Sequence, residues 1–262
     1  MKRYPAILAA LVLILPGAAY PLGLEFRPYF GRVTYEEHAR EVAIIDSDWT
    51  ALLGGMKAEI NEMKASWYAF ALEGTIWTSG RNEEEWNAYS FRQTNDLSVW
   101  GAEGKALLGI TLPIAEGCRL TPLGGVSYRY QTFTRNNFKI NYIPVDTETV
   151  TEKYPLFSAG GGLNAEVLFP KGFGLFGRVL YFDVISSRAE NSLLGDIKGE
   201  GGYIWTAEAG MEWTDGVSFA LGAAVSYELQ RLDGGTDDSG LVEWPENELE
   251  SIALVGAFRF FF

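Results

Sequence analysis

Residues 253–262 read ALVGAFRFFF, so the chain closes on three consecutive phenylalanines. Chain ends ordinarily fray into water unless something ties them down. Read with a period of two, the stretch resolves into two faces. Leu254, Phe258, Phe260 and Phe262 fall on one face, and Arg259 and Phe261 on the other. That alternation marks a β-strand. A terminal strand this apolar needs a partner strand on each side and an apolar medium on one face.

Working back from this strand, the same rhythm recurs. Residues 217–232 and 203–214 are two alternating runs joined by Asp-Gly, a strong hairpin signal. Residues 173–186 meet 156–169 across PKG, and 118–133 meet 98–113 across IAEG. Residues 65–78 and 50–60 pair across NEMK, and 23–35 supply a first strand to close against the last. Short turns lie on one side and long polar connections on the other. The count is ten strands; eight remain if the first two are misassigned, and both chain ends stay on the short-turn side either way.

A soluble sandwich also alternates, so the residues must decide which face meets what. In 118–131, Leu120, Pro122, Val126, Tyr128 and Tyr130 oppose Arg119, Thr121, Ser127, Arg129 and Gln131. In 203–214, Tyr203, Trp205, Ala207, Met211 and Trp213 oppose Thr206, Glu208, Gly210 and Glu212. Bulky apolar side chains share one face; charges and small residues share the other. The runs reach the roughly 9–11 residues that a transmembrane strand needs, against about 5–6 for an ordinary strand. Aromatics gather near their ends on the apolar face: Phe169, Tyr203, Trp213, Tyr227 and Phe262. The expected fold class is all-β, a transmembrane antiparallel up-and-down barrel with lipid outside and charge inside.

The N-terminus fits that destination. Lys2 and Arg3 precede an apolar run from Ala6 to Leu15 and small residues ending at Ala19. These are the three regions of a secretory signal peptide, giving 1–19 as signal and 20–262 as barrel. The net charge of −13 and the lack of clustered cations argue against nucleic acid as a partner. The single cysteine, Cys118, has no intramolecular partner and reads as a small residue near a turn.

The signal peptide, the up-and-down rhythm and the terminal face Leu254, Phe258, Phe260, Phe262 together resemble a Gram-negative outer-membrane β-barrel protein. In size the chain is similar to the OmpX, OmpA-barrel and omptin types. The resemblance implies residence in the bacterial outer membrane among its lipid and lipopolysaccharide. It also implies that the terminal face is an assembly signal read by the barrel-assembly machinery. It leaves function open, because many activities share this architecture.

The inward face holds Glu25, Arg27, Lys57, Glu59, Glu73, Glu103, Lys105, Arg119, Arg129, Glu166, Arg178, Glu208, Glu212, Glu228 and Arg259. Acids and bases nearly balance. Charges confined in a narrow barrel must pair, which predicts an ion-pair plug and a non-enzymatic structural or surface-binding role. The alternative is a narrow porin-like channel for small polar solutes. Glu83–Glu85, Asp237, Asp238, Glu243, Glu246, Glu248 and Glu250 read as acidic long loops. They could meet divalent cations or an extracellular or envelope partner, with Trp86, Tyr89, Phe138 and Trp244 as contact anchors. No motif calls for a cofactor or a metal. The one histidine, His38, lies in EEHARE and reads as a surface residue rather than a general base.

Overall fold

The computed structural model describes residues 23–38, 46–62, 67–88, 91–215, 218–236 and 243–262. The signal segment 1–19 lies outside the described residues. The strands are β1 (Gly23–His38), β2 (Asp46–Glu62), β3 (Tyr68–Ser79), β4 (Asn82–Ala88), β5 (Phe91–Ile110), β6 (Leu112–Ala115) and β7 (Cys118–Ile140). They continue as β8 (Ile143–Pro144), β9 (Val150–Leu168), β10 (Phe173–Asn191), β11 (Gly195–Thr214), β12 (Phe219–Thr236), β13 (Glu243–Trp244) and β14 (Glu246–Phe261).

Each long strand pairs antiparallel with its sequence neighbours, and β14 pairs with β1 to close the cylinder. β3 and β4 both lie along β5 and act as one interrupted wall strand, while β6, β8 and β13 are short hairpin pieces. The wall therefore has ten strands. Its register can be followed from Leu24 through Ile60, Leu72, Ala106, Val126, Ala159, Asp183, Tyr203, Arg231 and Glu248. The circuit returns to β1 at Glu36, twelve residues above its start. Ten strands with that stagger tilt by about 40°, within the range that lets a barrel close.

The outer face carries an apolar belt between two aromatic rings. At the end with Gly23 and Phe262, Phe169 packs on Phe173, Trp213 on Phe219 and Trp67 on Tyr68. At the opposite level, Trp100 packs on Tyr130, Tyr181 on Tyr203 and Trp205 on Tyr227. Between them Phe26, Leu108, Val126, Val179, Met211, Leu221 and Leu254 are exposed. Trp213 and Tyr203 lie ten residues apart on β11, which at this tilt spans about 25 Å, the height of an outer-membrane apolar band. Every strand crossing the belt is paired on both sides, as lipid demands. The chain is a transmembrane barrel.

Several strands run further than their alternation suggested, chiefly at the end away from Phe262. β7 continues to Ile140 rather than 133, β9 starts at Val150 rather than 156, and β11 starts at Gly195 rather than 203. Residues 246–250, read as loop, belong to β14. Beyond the upper aromatic ring the outward residues become polar: Thr132 and Thr134 on β7, Thr34, Glu36 and His38 on β1. This part of the wall stands in water, so its outer face no longer needs apolar side chains.

Candidate functional site: the barrel interior

The interior is layered, and each layer follows from which side chains the register turns inward. Nearest the termini, Glu25 accepts hydrogen bonds from Arg259 Nε at 2.8 Å and Nη2 at 2.6 Å, and Arg259 Nη1 reaches Glu212 at 3.2 Å. Arg27 bridges Glu25 and Glu208, and Lys57 approaches Glu208 at 3.6 Å. Across the lumen Arg178 joins Glu59, at 3.3 Å, and Glu73. Asn164 donates to Glu166 at 3.2 Å, and Arg119 stands directly opposite Glu166 in the β7–β9 register.

One level higher, Arg129 is almost wholly buried. It donates to both oxygens of Glu228, at 2.7 and 2.9 Å, and to Glu103 at 3.1 Å. Glu103 also holds Lys105 Nζ at 2.7 Å and accepts from Ser127 at 2.7 Å. The guanidinium lies 5.2 Å from the Trp77 ring. Gly101 makes room for that ring, since a β-carbon there would collide with the indole. The inward charges gather into groups: Glu25, Arg27, Lys57, Glu208, Glu212 and Arg259 in one, Glu59, Glu73 and Arg178 in another, and Glu103, Lys105, Arg129 and Glu228 in the level above. Two small separate cavities, of about 50 Å³ beside Tyr29, Trp77 and Arg129 and about 30 Å³ beside Arg27, Asn164 and Glu212, leave room for a few waters.

Above the charges the interior changes character. Val33, Leu53, Val99, Leu156, Ile204, Leu232 and Leu249 meet at the upper ring level, followed by Tyr35, Trp49, Leu97, Phe133 and Tyr154. These side chains form one continuous apolar cluster across the lumen. Tyr35 packs on Phe133 at 4.8 Å, Phe133 on Tyr154 at 5.1 Å, and Tyr154 on Trp244 at 6.0 Å between ring centroids. Reasoning from sequence missed this layer. The signal was present as an inversion: along the inward face of β7, Arg119, Thr121, Ser127, Arg129 and Gln131 give way to Phe133, just where the outward face turns from Tyr130 to Thr132.

Topmost is a second buried ionic cluster. Arg135 donates from Nε to Glu84 at 2.6 Å and from Nη2 to Glu37 at 2.9 Å, and Nη1 meets Glu152 at 2.5 Å. Asn95 donates to Glu84 at 2.7 Å, Asn191 to Glu152 at 3.0 Å, Tyr154 to Glu152 at 3.2 Å, and Tyr35 to Glu37. This corrects the reading of Glu83–Glu85 as loop: they lie in β4, and Glu84 is fully buried because Arg135 supplies its counter-charge. Trp86 and Trp244, expected as exposed anchors, turn inward as well. Trp86 lies 5.4 Å from the Arg135 guanidinium, and Trp244 is buried in the apolar cluster. Tyr89, Asp237 and Asp238 lie outside the described residues.

The remaining sites are simpler. His38 is half exposed on the outer face of β1, its Nε2 3.5 Å from Glu36. Cys118 is half-buried at the start of β7. Leu254, Phe258, Phe260 and Phe262 lie exposed on the belt of β14, with Arg259 and Phe261 turned inward.

No protein-family model and no curated protein matches the chain. Among solved structures it is similar to the outer membrane protease OmpT from Escherichia coli, at 12% identity over 92% of this chain and 97% of that one, with a TM-score of 0.63. It also matches the transport unit of the autotransporter AIDA-I from Escherichia coli, at 11% identity over 94% and 91%, with a TM-score of 0.49. The translocator domain of the autotransporter NalP from Neisseria meningitidis aligns at 12% identity over 96% and 93%, with a TM-score of 0.39. The belt, the ring-to-ring height, the closed ten-strand register and the likeness to OmpT agree: the chain has the fold of the bacterial outer-membrane β-barrels.

Proposed function

We propose that this protein is a closed, non-enzymatic outer-membrane barrel that anchors an extended wall above the membrane and presents it for structural or surface-binding work. The observation that carries the reading is the apolar layer around Leu97, Phe133 and Leu156, which fills the lumen above the charge network. A conduction path needs polar, wet walls along its whole length, and a dry apolar constriction resists ions and water. The interior below it consists of charges that satisfy one another, which is the arrangement of a filled barrel rather than a pore.

The non-enzymatic part of the reading is supported by the placement of His38. The chain's single histidine points away from the lumen beside Glu36, so no imidazole faces the enclosed polar groups. The fold of a protease carries no protease chemistry by itself. In this reading the long-strand end faces the medium, lipid and lipopolysaccharide surround the belt, and the acidic outer wall (Glu36, Glu248, Glu250) meets an extracellular or envelope partner. Leu254, Phe258, Phe260 and Phe262 serve as the signal for the barrel-assembly machinery.

Liposome swelling tests the seal. Vesicles carrying the wild-type barrel should exclude small sugars and amino acids. Rapid swelling with the wild-type protein would replace this reading with the narrow channel.

A further inference from the structure

We propose that the Arg135 cluster is a pH-responsive latch, closing the water-exposed half of the barrel when its carboxylates hold a proton and loosening it when that proton leaves. The geometry supplies the argument. Glu37 from β1, Glu84 from β4 and Glu152 from β9 converge on one guanidinium from β7, and all four side chains are nearly inaccessible to solvent. Asn95 of β5 and Asn191 of β10 are tied in through Glu84 and Glu152, so the cluster pins six strands together.

Three ionised carboxylates around a single cation leave two uncompensated negative charges in a buried site. Burial disfavours the charged form of a carboxyl group, and neighbouring carboxylates disfavour it further. One proton relieves both. The groups facing Glu37 are Arg135 of β7, Glu84 of β4, Glu152 and Tyr154 of β9, and Tyr35 of its own strand. Arg135 is the only cation among them. Burial above all, with Glu152 and Glu84 adding to it against the pull of Arg135, pushes the Glu37 carboxyl up to about 7. The cluster lies five residues beyond Tyr130 on β7 and five beyond Phe157 on β9, clear of the apolar belt.

The direction follows from proton linkage. A carboxyl group whose folded pKa is raised binds more protons folded than unfolded between about 4.5 and 7. Its contribution is complete at the acid end of that window and is lost as pH rises through 7. The latch therefore tightens on acidification. Tyr35 and the Arg135 fork both meet the same oxygen of Glu37, leaving its other oxygen to carry the proton.

Hydrogen exchange of the folded barrel in lipid, measured from pH 5 to 9 and corrected for intrinsic exchange rates, tests the proposal. Amides of β1, β7 and β9 beyond the upper aromatic ring should lose protection by at least tenfold between pH 5 and 8, while amides inside the belt hold theirs. The Glu37→Gln variant, uncharged at every pH, should keep the rim protected throughout. Rim protection in the wild type that is flat across this range would overturn the latch. So would an undiminished pH dependence in Glu37→Gln. Should that variant not fold, the wild-type profile still tests the proposal, since flat rim protection overturns the latch.

Discussion

Replacing Arg129 with methionine should lower the unfolding free energy of the barrel by about 3–5 kcal/mol, the range for removing one partner of a buried ion pair. Arg129 lies between Glu103 and Glu228, and its guanidinium also donates to Gln230 at 3.0 Å. Methionine fills similar volume, so the loss reports stranded charge rather than a cavity. Both carboxylates then remain in the lumen with Lys105 as their nearest cation. Adding Glu103→Gln and Glu228→Gln to the methionine variant should recover most of the loss. Urea titration of the protein folded into phosphatidylcholine vesicles, followed by tryptophan emission, gives all three values. Equal stability of the single and triple variants would show that the network is incidental to folding.

The second large effect lies outside the wall. Ala223 of β12 is exposed and sits midway between Phe219 in the lower aromatic ring and Tyr227 in the upper one. Changing Ala223 to arginine should destabilise the folded barrel by about 2–4 kcal/mol, the penalty for a cation on the lipid face at mid-depth. The same change at Thr34, on the outer face of β1 above the ring, should cost close to nothing. Similar losses at both positions would mean that the band between the rings does not face hydrocarbon.

How far the sequence could be read depends on where the solvent changes. Inside the membrane the alternation of apolar and polar side chains is enforced by lipid on one side and a polar lumen on the other. Strand number, the closing of residues 23–35 against the terminal strand and the inward charges were therefore all legible. Above the upper ring the outside is water, so the pattern inverts: Phe133 and Tyr35 turn in while Thr132 and Thr34 turn out. A reading that expects polar residues inside takes this inverted stretch for loop. The segment NEEEWNA, 82–88, is harder still. Its glutamates look solvated until Arg135, 51 residues further along, is brought to Glu84 by the β4–β5 and β5–β7 registers. Nothing local in the sequence announces that pairing.

The terminal phenylalanines now have a physical setting. Phe258 and Phe260 pair across the closing seam with Phe26 and Leu24, and across the other edge with Leu221 and Phe219, so the greasy end is one wall of the belt. Arg259, set between them in sequence, carries the charge network to the opposite face of the same strand.

Single-channel recording across a planar bilayer tests the central claim most directly. A barrel sealed by the apolar layer around Leu97, Phe133 and Leu156 should give a silent trace at neutral pH, with no resolved steps after confirmed insertion. Steady, uniform conductance steps from the wild-type protein would contradict it.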